Sequence, residues 1–128
     1  MDWVSRPFAP KLPVGIVYNA MSVIPASDSP ADKAAAERHD AFHNGLFFGP
    51  VFKGEYPAEL FEAYEPIMPK IEDGDLATIS QKIDWWGLNY YTPARVAHDH
   101  NPEAAFPATV SAPPVHPEKT DIGWEIDS

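Results

Sequence analysis

Val14 to Asn19 (VGIVYN) is apolar almost without interruption, whereas ADKAAAERHDAFHNGLFF, a little further on, spaces its apolar residues three and four apart. The first pattern suits a strand covered on both faces, as in a parallel sheet. The second is that of a helix, with Ala31, Ala35, Phe42 and Leu46 near one face and Asp32, Lys33, Glu37 and Arg38 on others. Ser27, Asp28 and Ser29 offer capping oxygens, Pro30 suits the first turn, and Gly49-Pro50 is read as its end. Ala58 to Tyr64 reads as a short helix, and DLATISQKI as a further helical turn. IDWWGLNYYTP (residues 83–93) reads as a second strand, stopped by Pro93. His98 to Lys119 is rich in Pro, Ala and His, has little periodicity, and reads as a long loop. The order of strand, helix, helical turns, strand and long loop makes one βαβ-like unit, because consecutive parallel strands need a crossover.

Composition narrows the function. The 128 residues are 45% apolar and 12% aromatic, a globular composition. A net charge of −10 argues against nucleic acid, which calls for clustered Lys and Arg, and against anionic membrane surfaces. No apolar run approaches the roughly 20 residues that span a bilayer. The start, MDWVSRPFAPKLP, lacks the apolar stretch of a secretory signal. With no Cys there is no disulfide framework and no thiolate chemistry, which suits a cytoplasmic location.

Candidate chemistry is sparse. His39 and His43 lie at i and i+4, close to the zinc signature His-Glu-x-x-His, but no third ligand follows on the helix, and packing histidines are the commoner explanation. His98 and His100 join them only if the fold brings them near. Glu55, Glu59 and Glu62 at helical spacing read as a solvated face, and Asp73 and Asp75 as turn residues around Gly74. A Gly-rich phosphate loop and a Gly-x-Ser-x-Gly elbow are both missing from the sequence. Asn89, Tyr91 and, less clearly, Asn19 fall at the carboxyl ends of predicted strands, where α/β enzymes place their functional groups. Asn89 and Tyr91 share parity, so alternation puts both on one side of an extended chain. Spacing alone leaves open that Tyr91 merely packs and Asn89 merely caps.

VGIVYN, PASDSPADKAAAERHDAFHN, GEYP, DGDLATISQKIDWWGLNYYTPARV and TDIGWEI, taken together, resemble the middle of a family 1 glycoside hydrolase. These are retaining β-glucosidases and relatives built on a (β/α)8 barrel. The resemblance runs in register from about Val14 to Ile126, and divides the chain into a non-matching leader, 1–13, and a partial barrel segment, 14–128. It implies that PVGIVYN and DWWGLNYY are the fifth and sixth barrel strands. It implies that Asn89 and Asn19 serve the sugar site and that the Tyr91 hydroxyl supports the catalytic nucleophile. A β-glucoside or related saccharide is the implied substrate, with no cofactor and no metal.

The family's acid/base motif (Thr-Phe-Asn-Glu-Pro type) and nucleophile motif (Ile/Val-Thr-Glu-Asn-Gly) do not occur in these residues, and Glu125 in GWEI is not the nucleophile motif. Gly45 and Leu46 replace an expected Arg-Trp, Gly49 an Asp and Lys82 a Pro. The expectation is therefore an incomplete β-glucosidase: a gene remnant, a frameshifted reading frame or one piece of a split enzyme. Alone it would be inactive, and it would pair with missing barrel segments or with itself. The alternatives are a module that completes a barrel in trans, and a metal-binding protein using His39 and His43.

Overall fold

A computed structural model describes residues 12–64, 68, 70–114 and 118–126. Most of the 1–13 leader and Glu65 lie outside the described residues. Two strands, β1 (Gly15–Ala20) and β3 (Trp85–Tyr90), pair in parallel, with Gly15 opposite Trp85 and Asn19 opposite Asn89. Between them come β2 (Val23–Pro25), α1 (Pro30–Asp40), α2 (Leu46–Phe48), α3 (Ala58–Tyr64) and α4 (Asp75–Ile79). This is the expected crossover between parallel strands.

Alternation sorts the β1–β3 pair into two faces. Ile16, Tyr18 and Trp86 meet Phe47, Phe48, Val51 and Phe52 of the helical layer. The Tyr18 ring lies 4.6 Å from Phe48, and Trp86 lies 5.8 Å from Phe48 and 5.6 Å from Phe52. The opposite face carries Gly15, Val17 and Asn19 beside Trp85, Gly87 and Asn89, and it is open: Val17 is 55% exposed and Trp85 46%. In a barrel with its helices outside, that open face looks inward. A Cβ at Gly15 would run into the Trp85 ring and the Trp85 carbonyl, so glycine is what lets the indole lie across β1.

Helix α1 starts as its sequence dictates. Ser29 is the N-cap, its hydroxyl accepting from Asp32 N at 3.1 Å, with Pro30 in the first turn. Its inward face is Ala35 and Ala36 and not the Ala31–Ala35–Phe42–Leu46 stripe, because Ala31 and Phe42 stay exposed. Ala31 sits in the exposed first turn, and Phe42 falls in a wide π-helical turn, Ala41–Gly45, which shifts the positions that follow off the face predicted by regular helical spacing. Nor does Gly49-Pro50 end the helical run. A second wide turn, Gly49–Lys53, accommodates Pro50, and Gly54 in the left-handed region (φ 72°) ends it.

β4 (Ala94–His98) lies just ahead of the stretch 98–119 read as a loop, sharing only His98 with it, while a short strand, β5 (Thr109–Ser111), falls inside that stretch and corrects the reading there. β4 pairs in parallel with β2 and antiparallel with β5, giving a second, three-stranded sheet under α1. Contacts distant in sequence order it. Asp32 Oδ1 accepts from His98 N at 2.8 Å, Arg38 Nε donates to the Pro107 carbonyl at 3.0 Å, and the Tyr64 hydroxyl donates to the Phe106 carbonyl at 3.0 Å. Ala35, Ala36, Leu60 and Val96 are the buried apolar residues, a thin core among the described residues. No helix among the described residues is long and apolar enough to cross a membrane.

Candidate functional site

Parallel pairing with Asn19 opposite Asn89 puts two side-chain amides abreast, about one inter-strand spacing of 4.8 Å apart, at the carboxyl ends of β1 and β3. Both are exposed and lie on the open face. The backbone beneath them is fixed from the helix side. His43 Nε2 lies 3.1 Å from the Asn19 carbonyl; a carbonyl only accepts, so this nitrogen carries the proton. The Tyr18 hydroxyl donates in turn to the His43 carbonyl. Burial, and then the Asp40 carboxylate, raise the Tyr18 pKa and keep the phenol a donor. Asn44, buried, donates to the Met21 carbonyl at 2.8 Å and to Asp40 Oδ1 at 2.7 Å, clamping the turn after β1.

Tyr91 stands just past the end of β3. The register offset is 70 between β1 and β3 but 71 between β2 and β4, so one extra residue sits between Tyr90 and Ala94. The two ladders belong to separate sheets, and Tyr91 falls in the three-residue step between them, beyond the last paired residue of β3. Strand alternation is set by ladder pairing, so beyond Tyr90 parity no longer fixes the direction of Tyr91 by itself. Its ring is 59% exposed and packs edge-on against Trp124, with centroids 5.6 Å apart.

Trp124 belongs to a short turn closed on itself. Thr120 N donates to the Trp124 carbonyl at 2.9 Å, Trp124 N to Thr120 Oγ1 at 3.0 Å, and Gly123 takes φ 85°. The next residue, Glu125, is buried and paired with Arg95 Nη2 at 3.1 Å, while its carbonyl accepts from the Thr92 hydroxyl at 3.0 Å. Thr92, Arg95, Trp124 and Glu125 were not among the sequence-predicted site residues. An unbroken polar triplet near a strand end would have drawn notice; partners 30 residues apart leave no local pattern.

The two helical histidines part company. His39 Nδ1 meets Thr109 Oγ1 at 3.0 Å, while His43 turns to the Asn19 carbonyl. Burial, and then the charge of His43, lower the His39 pKa against an opposing effect of Asp40. His98 accepts from Arg38 Nη2 at 3.3 Å and stacks edge-on with His100. No group of three or more metal-ligating side chains forms among the described residues. Glu55, Glu59, Glu62, Glu72, Asp73 and Asp75 are all exposed, as a solvated face requires.

Parallel strands with a helical crossover on one side, and polar groups gathered at their carboxyl ends on the open face, are what a segment of a (β/α)8 barrel presents. A family model for glycosyl hydrolase family 1 matches residues 4–128, reaching ahead of Val14, and the chain belongs to that family. It is 65% identical over 122 residues to a β-glucosidase of an Agrobacterium species, covering 95% of this chain and 27% of that enzyme. It is 39% identical over 114 residues to a 1,4-β-D-glucan glucohydrolase of Thermotoga neapolitana, covering 88% of this chain and 26% of the relative. Among solved structures, the virulence factor SghA of Agrobacterium tumefaciens superposes with a TM-score of 0.89 at 65% identity, over 96% of this chain and 27% of that one. SghA has also been solved with its substrate analogue salicin. The chain thus spans about a quarter of the length of these relatives.

Proposed function

We infer that this chain supplies the fifth and sixth strands, and part of the sugar site, of a retaining β-glucosidase that hydrolyses O-glycosyl bonds. The observation that carries the reading is the pair of amides, Asn19 and Asn89, abreast on the inward face at the carboxyl ends of two parallel strands. Their N–H and C=O groups suit sugar hydroxyls, which both donate and accept. Tyr91 would place its hydroxyl against the nucleophilic carboxylate, favouring the charged form that attacks the sugar. The β-glucosidase names of the relatives support a β-glucoside as substrate. No cofactor is required by this chemistry, and the absence of Cys suits a reducing, cytoplasmic setting.

Cleavage with retention needs an acid/base and a nucleophile about 5–5.5 Å apart. Neither family motif occurs in these 128 residues, so by themselves they do not turn over a glycoside. A second reading is favoured by β3, whose Trp85, Trp86, Leu88 and Tyr90 are all exposed although they alternate between both faces. Among the described residues β3 pairs on one edge alone, with β1, so its other edge suits docking against a further strand, whether supplied by the same polypeptide or in trans.

The test is nitrophenyl β-glucoside turnover by the purified 128-residue chain, alone and mixed with a barrel that lacks this segment. The expected result is none alone and measurable turnover in the mixture. Turnover by the chain alone would overturn its dependence on outside carboxylates.

A further inference from the structure

We propose that the buried Arg95–Glu125 ion pair is a positioning element for Tyr91, acting through Trp124; its catalytic consequence rests on the β-glucosidase reading. Three ion pairs are formed among the described residues. Lys33–Asp28 and Lys70–Glu72 are solvated, but the side chains of Arg95 and Glu125 are only 13% and 6% exposed. Arg95 Nε is itself buried with no acceptor among the described residues, so the Glu125 carboxylate is the charge that compensates the guanidinium.

The pair also sits where positioning is needed. Tyr91 lies between the ladder that ends at Tyr90 and the one that begins at Ala94, outside the pairing that holds β3, and it is too exposed for a core to hold it. Its described ring neighbour is Trp124. Trp124 is the residue before Glu125, and the turn that presents it is tied down at Glu125 from two sides, by Arg95 and by the Thr92 hydroxyl. Thr92 is the residue next to Tyr91 in that step, and Arg95 follows three residues later in β4. The ion pair therefore fixes the turn in the frame of the strand that carries Tyr91, and the Trp124 edge sets where the phenol ring stands. Buried ion pairs are weak sources of stability, and specifying one arrangement is their best-supported use.

The experiment reads the nuclear Overhauser contact between the Tyr91 ring and the Trp124 indole in the full 128-residue chain. It compares the wild type, Glu125→Gln, and the double variant Arg95→Met/Glu125→Leu. The double variant removes both buried charges together, which spares the fold the cost of leaving one unpaired. The account expects the contact to fall at least about twofold in Glu125→Gln and to be lost in the double variant, with the Asn19 and Asn89 amide signals unmoved, because a contact set by an ion pair relaxes without it. Full retention of the contact in the folded double variant overturns the proposal and reduces the pair to a structural one.

In a complete barrel carrying this segment, the same double variant should lower kcat on the order of 10- to 100-fold with KM little changed, the mark of a misplaced group. Loss of the ring contact in a complete barrel that never cleaves the glucoside would count against the glycosidase reading while leaving the positioning intact.

Discussion

Asn19 and Asn89 lie 70 residues apart in the chain and meet only because β1 and β3 pair in register. Each amide was legible as a polar residue closing an apolar strand; that the two stand abreast was not, since register is a property of the pair. Tyr91 follows the strand end in the sequence, but that it falls in a step between two sheets comes from a one-residue difference between their ladders. In a complete barrel carrying this segment, Tyr91→Phe should lower kcat about 10- to 100-fold, the worth of one charge-assisted hydrogen bond of about 1.5–3 kcal/mol. Steady-state kinetics together with an unchanged circular dichroism spectrum would check this, and wild-type turnover would make Tyr91 a packing residue.

His39 bears on pH at the same scale. Burial holds its folded pKa below the value it takes on unfolding. Below about pH 6.5 the unfolded chain therefore binds the extra proton, and stability falls as pH drops. The urea midpoint should decrease between pH 7.5 and pH 5.5, and His39→Gln should flatten that decrease. An equal decrease in the variant would place the titration elsewhere.

Among the elements, α3 has the bounds its sequence suggests, Ala58–Tyr64, and α1 begins where Ser29 and Pro30 say it should. Caps and prolines act over three or four residues, so a sequence displays them. The wide turns at Ala41–Gly45 and Gly49–Lys53 are a different matter, since they are set by what the helix packs against. A Cβ on Gly45 would lie 2.7 Å from Pro57 Cγ, and one on Gly49 2.5 Å from the Glu55 carbonyl oxygen. β5 was hidden for a similar reason: its pairing with β4 and the hydrogen bonds from Arg38 and Tyr64 come from outside the segment. Two substitutions probe this scale. Ser29→Ala should cost about 1 kcal/mol, the usual worth of an N-cap, read from the denaturant midpoint. Gly15→Ala should cost about 1–3 kcal/mol by driving a methyl group into the Trp85 indole, and should shift the Trp85 signals. An unperturbed Trp85 would contradict the close approach of β1 and β3.

The whole molecule has more surface to cover than core to cover it with. Four apolar residues are buried among the described ones, while Val17, Trp85, Trp86, Leu88 and Tyr90 are each more than two-fifths exposed. Their strands form a two-stranded sheet with a free edge on either side. Within a (β/α)8 barrel, neighbouring strands would meet both edges and the inward layers of side chains would cover Val17 and Trp85. We infer that this segment is a working part of such a β-glucosidase. The most direct measurement replaces the matching 122-residue stretch of the Agrobacterium β-glucosidase with this chain's own and follows nitrophenyl β-glucoside turnover. The account predicts a folded chimera that cleaves the glucoside. A chimera that folds but does not cleave it would contradict the account.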